Sequence, residues 1–439
     1  MFRFQVRAPP PSEAALVRAL GVRQLTAAIV NTTVGAGIFV IPALVAQSLG
    51  AAAPLAFLIC AAIMGLISVT LAVAGSRVAL TGGIYAYVGV AFGPYVALLA
   101  GVLQWLTGLL AVAGVASAMA DQLGALAPVV GVPLVRLSVL AVAFGLLAHL
   151  NVRGVRGGAR LIEVVTAAKL APLLVFVAVG AFFVDGAALA WPGFPDAGPV
   201  GRSVLLLVFA YSGVEIAIAP SGEVSNPART VPRAVFLALA ATTTLYIAIQ
   251  LVAQGVSGGL LSQDTAAPLA TAARRFLGPA GMMLMLLGAV CSMFGYLCGD
   301  MLSTPRSWYA LARDGFLPAA LVRIHPLYRT PSTAIWTHAV VILLLASTNT
   351  FQALAIISNV GLLLLYLLCC GAALELSRRD VREAGEPFAV PGAAAAPLAG
   401  AALVLWILST ATLAELALTA TVLGAATLAY AIKKRAQSI

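Results

Sequence analysis

The chain has 439 residues, of which 62% are hydrophobic and 9% charged. Soluble domains carry about 25% charged residues, so composition excludes a soluble globular protein and points to an all-α integral membrane protein. The net charge of +10 would raise nucleic acid as a partner for a soluble protein, but the placement of the basic residues argues against it.

Apolar runs of spanning length fall at 24–48, 52–75, 94–120, 133–150, 160–184, 200–222, 231–255, 280–304, 331–347, 351–375, 393–411 and 412–432. The pattern predicts twelve transmembrane helices between a tail at 1–23 and a tail at 433–439. With both termini cytoplasmic, Arg136, Arg202, Arg274 and Arg275 lie outside and Lys169 lies within a span. Every other Lys and Arg falls on the inner side or its margins, and this bias sets the orientation. The N-terminal segment lacks the short apolar core and cleavage site of a signal peptide. The five cysteines, Cys60, Cys291, Cys298, Cys369 and Cys370, sit in apolar runs without metal-type spacing. They read as buried small apolar residues.

The first span contains Ile29-Val30-Asn31-Thr32-Thr33-Val34-Gly35-Ala36-Gly37, with Pro42 shortly after. Each Gly costs roughly 1 kcal/mol against Ala inside a helix, so an unwound turn is expected here. Such a turn at membrane depth frees backbone N–H groups on one side and carbonyls on the other. Freed donors suit a carboxylate, and freed carbonyls suit an ammonium or a cation. A glycine-rich packing seam is the alternative reading.

Between the second and third spans, residues 76–93 are too apolar for a free loop and too broken for a span, which predicts a hairpin packed on the bundle. The fifth span carries Lys169 inside an apolar run. A lysine there either snorkels to the surface or serves a site. The sixth span holds Phe209-Ala210-Tyr211-Ser212-Gly213-Val214-Glu215, a second glycine interruption beside a carboxylate in apolar sequence. Spans one and six each open a set of five. Matching interruptions there predict a 5+5 inverted repeat, 24–184 and 200–375, followed by spans eleven and twelve at 393–432. Residues 305–330, with several Pro and Arg, read as a basic, partly helical connection. His149, His325 and His338 form no metal or relay pattern and receive no role.

Taken jointly, these stretches resemble the amino acid–polyamine–organocation (APC) transporter family, with its LeuT-like fold. The resemblance rests on Val34-Gly35-Ala36-Gly37-Ile38-Phe39, on Gly82-Gly83-Ile84-Tyr85-Ala86-Tyr87 with Phe92-Gly93-Pro94, on Thr166 to Leu173 around Lys169, and on Phe209 to Glu215 followed by Glu223 and Asn226-Pro227. It covers spans one to ten. Val73 and Ala79 stand where the family often has an acidic residue and a proline.

The resemblance implies a substrate site. The substrate carboxylate is expected on the backbone N–H groups of Gly35, Ala36 and Gly37, beside Val34. The ammonium is expected on carbonyls near Ile29, Val30 and Asn31 and on those of Phe209, Ala210 and Ser212, beside Gly213. Phe209 matches the family's aromatic gate. Lys169 matches a lysine that replaces the cation of sodium-coupled relatives and bonds carbonyls near Thr32 to Gly35. Its proton is a candidate coupling ion. Glu215 matches a glutamate used for pH sensing or basic substrates, or is a structural acid. Gln104, Trp105, Met285, Ser292 and Tyr296 are further pocket candidates, and Asp300 is expected to pair with a nearby basic group.

The expected function is secondary active transport of α-amino acids, sodium-independent and either proton-coupled or an exchanger, with neutral or apolar substrates favoured. A basic amino acid or polyamine antiporter is the alternative, and a non-transporting receptor a remote one. No enzyme motif, metal site or cofactor is read. The expected partners are the amino acid and the lipid bilayer, with no nucleic acid, in a monomer or homodimer.

Overall fold

The computed structural model describes residues 21–78, 83–153, 158–191, 193–213, 227–313, 318–382, 387–388 and 392–436. Among the described residues every regular element is helical. Among those residues, seven helical stretches are long and apolar enough to cross a membrane, and four shorter apolar helices accompany them. A bilayer interior offers no partner to backbone N–H and C=O groups, and helices satisfy these groups internally.

The first apolar run is split. Helix α1 (Val22–Thr33) stops, Val34, Gly35 and Ala36 are non-helical, and α2 (Gly37–Leu49) resumes. After Gly50 the chain turns into α3 (Ala53–Gly75), then a short α4 (Ile84–Phe92). Helix α4 sits where a packed hairpin is expected. Helices α5 (Pro94–Leu126), α6 (Pro133–Arg153) and α7 (Gly158–Gly180) follow. Helix α8 (Ala197–Tyr211) ends at Ser212-Gly213, and α9 (Pro227–Ser257) begins beyond the residues not described.

Helix α10 (Pro268–Arg313) is longer than the expected span at 280–304 at both ends. It contains a kink at Gly278, where φ is 63°, next to Pro279. The apolar criterion misses its ends because Arg274 and Arg275 precede the run and Arg306 and Arg313 close it. A polar helix can project beyond the lipid, so helix length exceeds apolar length. Helices α11 (Ser332–Thr348), α12 (Phe351–Arg378), α13 (Ala396–Leu408) and α14 (Leu413–Ala436) complete the chain. The first helix begins inside the expected 1–23 tail, and α14 continues into the expected 433–439 tail.

Helix α12 lies at the centre and packs along α5, with α3, α8 and α13 around it. Helix α10 packs on α7 and α5, and α11 on α6. On the other side α1 lies against α9, while α2 and α3 both lie against α8. Helix α2 buries Gly37 through Ala46 without interruption, whereas α1 buries only Leu25, Ile29 and Thr33. Cys60, Cys369 and Cys370 are buried as expected, but Cys291 is exposed on α10 and Cys298 half-exposed. An apolar span needs no protein cover on its outward face, so small apolar residues there need not be buried.

Candidate functional site

A helix end leaves its last carbonyls without an N–H four residues further on. The end of α1 illustrates how such groups are served. Val34 N donates to Val30 O at 2.9 Å, closing the last helical bond. Lys169, buried on α7, donates from Nζ to the Asn31 carbonyl. Tyr246, fully buried on α9, places its hydroxyl 3.0 Å from the Thr33 carbonyl. Two helices distant in sequence therefore supply donors to this break. Ile29 is buried and Val30 half-buried on the same helix.

The Lys169 contact falls at Asn31, one residue before the expected Thr32–Gly35 stretch. Asn31 lies in the last turn of α1, where carbonyls point along the axis and leave the helix together. The snorkelling reading of Lys169 does not hold, because the ammonium is buried against this carbonyl.

The end of α8 is served differently. Ser212 N donates to Val208 O at 2.9 Å, and Ser212 Oγ to Phe209 O at 2.9 Å. The Ala210 carbonyl accepts from the same Tyr246 hydroxyl at 3.0 Å. One O–H has one proton, so Tyr246 shares it between the two breaks. Thus the Phe209 and Ala210 carbonyls, expected to face an ammonium, already have donors, although each oxygen keeps a second lone pair.

The breaks also touch through their small residues. A Cβ added at Gly37 would lie 3.0 Å from Ala210 Cα, so the start of α2 rests on the end of α8. Gly213 has φ 113°, and a Cβ there would lie 3.3 Å from the Thr32 carbonyl. Only glycine meets both demands, since positive φ is costly for other residues. The structure therefore brings together Asn31, Val34, Gly35, Ala36 and Gly37 with Phe209, Ala210, Ser212, Gly213 and Lys169. Gly35 itself is half-exposed, with its nearest neighbouring atom 3.9 Å from a built Cβ. The first N–H groups of α2 have no acceptor inside that helix.

Around the breaks, aromatic rings pack edge-on. Phe209 meets Phe351 with centroids 5.2 Å apart. Tyr246 meets Tyr211 at 5.4 Å and Phe57 at 6.3 Å. Glu215 and Glu223 lie outside the described residues.

Asp300 pairs with a basic group as expected, the imidazole of His338, whose Nε2 lies 2.6 Å from its carboxylate. The sequence gives His338 no mark of a role, because 38 residues separate it from Asp300 and only helix packing joins them. Trp105 stacks edge-on against Trp308 at 5.5 Å, and Trp308 against His338 at 5.3 Å. Met285 and Ser292 are buried, while Tyr296 is exposed. Tyr246 has no signature in the sequence. A tyrosine in an apolar span carries no charge and breaks no helix, so nothing in the sequence marks it.

Residues 20–431 match the family model described as amino acid permease. Among similar proteins, the methylthioribose transporter of Bacillus subtilis is 27% identical, over 90% of this chain and 88% of the relative. The branched-chain amino acid permease BcaP of Lactococcus lactis is 27% identical, over 84% of this chain and 83% of the relative. The serine/threonine exchanger SteT of Bacillus subtilis is also 27% identical, over 84% and 85%. These relatives are transporters rather than enzymes, and the apolar helices make the chain a multi-pass membrane protein. The chain belongs to the amino acid permease family, within the amino acid–polyamine–organocation superfamily.

Proposed function

We propose that the chain is a secondary active transporter that moves neutral or apolar α-amino acids across the plasma membrane by alternating access. The observation that carries this reading is the meeting of the two helix breaks, with Lys169 and Tyr246 donating to the carbonyl ends. The substrate carboxylate docks on the N–H groups of Gly35, Ala36 and Gly37, at the positive end of α2. The ammonium takes the second lone pairs of carbonyls at the ends of α1 and α8. Neither end needs a charged side chain from the protein, which lets a weakly charged core hold a zwitterion.

The Lys169 ammonium stands where a bound cation would otherwise neutralise the α1 carbonyls, so transport is sodium-independent, by proton coupling or exchange. The paired breaks support a 5+5 inverted repeat within twelve spans, with both termini cytoplasmic. Names of relatives for branched-chain amino acids and for serine and threonine support neutral substrates.

The test is uptake and counterflow in proteoliposomes with a panel of twenty radiolabelled amino acids and methylthioribose. Each is run with and without a pH gradient and with and without sodium. Neutral amino acids are expected to exchange without sodium. Exclusive uptake of arginine, lysine or polyamines would replace this reading with the basic antiporter. Binding without any flux would replace it with a receptor.

A further inference from the structure

We propose that Arg202 and Glu415 form a latch that seats α8, so that α13 and α14 help to set which conformer the transporter occupies. The inference rests on the alternating-access reading, in which α8 moves.

Arg202 is on the first turns of α8, and Glu415 is on the first turn of α14. The two side chains meet in a two-pronged pair, Nη2 to Oε1 at 2.6 Å and Nη1 to Oε2 at 2.7 Å. Bidentate pairs of this kind fix direction as well as distance, and are stronger than single hydrogen bonds. Arg202 Nη1 also reaches the Thr410 carbonyl at 3.5 Å. One residue earlier, a Cβ built on Gly201 would lie 2.6 Å from Thr410 Cγ2. The corner between α13 and α14 is thus pressed directly on α8.

Glu415 has a second task. Its Oε2 accepts from Thr412 N at 2.8 Å, and Glu415 N donates back to Thr412 Oγ1 at 3.4 Å. This Thr-x-x-Glu reciprocal cap fixes the start of α14 and aims the carboxylate at α8. Deeper along α8, Asn359 of α12 donates to the carbonyls of Leu205 at 2.7 Å and Leu206 at 3.2 Å. Phe351 of the same helix packs on Phe209. The central contacts come from within the two repeat-like halves, but the end contact comes from helices outside them. If α8 tilts while α13 and α14 stay with the rest of the bundle, the Arg202–Glu415 pair must open.

The test uses hydrogen exchange by mass spectrometry on the full chain in nanodiscs, reading peptides from 197–211. Glu415→Gln keeps the cap, because glutamine also closes such a box, but removes the charge. It is expected to speed α8 exchange about tenfold, as is Arg202→Gln, in line with losing a charge-assisted pair. Thr412→Ala removes the hydroxyl that accepts from Glu415 N and keeps the charge, and is expected to leave α8 exchange unchanged. The double variant Arg202→Glu, Glu415→Arg is expected to restore slow exchange.

Wild-type exchange in Glu415→Gln would overturn the latch, as would an equal effect of Thr412→Ala. Leucine uptake in proteoliposomes gives a separate readout. The single-charge variants are expected to change apparent KM about threefold, and the swap to restore it. Absence of leucine uptake by the wild type would count against the proposed substrate. The exchange experiment needs no substrate and decides the latch by itself.

Discussion

The two helix breaks solve the same problem by different means. At the end of α1, donors to the freed carbonyls come from other helices, from Lys169 and Tyr246. At the end of α8, Ser212 supplies its own N–H and hydroxyl, and only Ala210 depends on Tyr246. Among the described residues, the first break is therefore held by tertiary contacts and the second largely by local ones. A locally capped end keeps its shape when neighbours move, whereas an end capped from a distance changes when they do. This difference makes the shape of the α1–α2 turn depend on its neighbours, whereas the end of α8 carries its own cap with it.

Lys169→Ala is the most severe way to break this contrast. It removes the cationic donor to Asn31, and uptake is expected to fall about 100-fold, the order of a lost charged hydrogen bond of ~3 kcal/mol. The fold should persist, as checked by size-exclusion and circular dichroism. Wild-type uptake in this variant would show that the α1 end does not depend on α7.

Gly35→Val comes next. A branched side chain would stand over the turn and screen the donors at the start of α2. Apparent affinity is expected to fall at least about tenfold, the cost of losing one or two backbone donors to an anion. Equilibrium binding of leucine measures this directly, and unchanged affinity would move the substrate away from the turn.

Tyr246→Phe touches both breaks at once. It removes one hydroxyl shared between two buried carbonyls, so a loss of ~1 kcal/mol in thermal stability is expected. A three- to tenfold drop in uptake should accompany it. If the breaks are coupled through this hydroxyl, combining Tyr246→Phe with Lys169→Ala gives less than the product of the single effects.

Ser212→Ala sharpens the contrast from the mild side. The backbone bond from Ser212 N to Val208 remains, and only the hydroxyl is lost. Uptake should change by less than about twofold, comparable to a few tenths of a kcal/mol for a local cap. A collapse comparable to Lys169→Ala would mean that both breaks are equally delicate.

Much of this arrangement was legible in the sequence. Gly35 and Gly37 together, and Ser212-Gly213, announced the interruptions because helix-breaking residues are conspicuous in apolar runs. Lys169 announced itself as a cation where cations are costly. Helix α10 was legible only in part, because Gly278-Pro279 and the flanking arginines hid its full length. The pairing of His338 with Asp300 leaves no trace in the sequence, since helix packing alone makes it.

The sequence by itself determined that the chain spans a membrane, where its helices break and which family it joins, since these depend on local apolarity, glycine placement and motif spacing. Tertiary structure alone decided that Tyr246 serves both breaks, that Lys169 reaches Asn31, and that Arg202 meets Glu415 across 213 residues of chain. The physical reason is directional. A hydrogen bond needs its donor and acceptor brought together at a set angle, and that depends on how helices rotate and pack against one another.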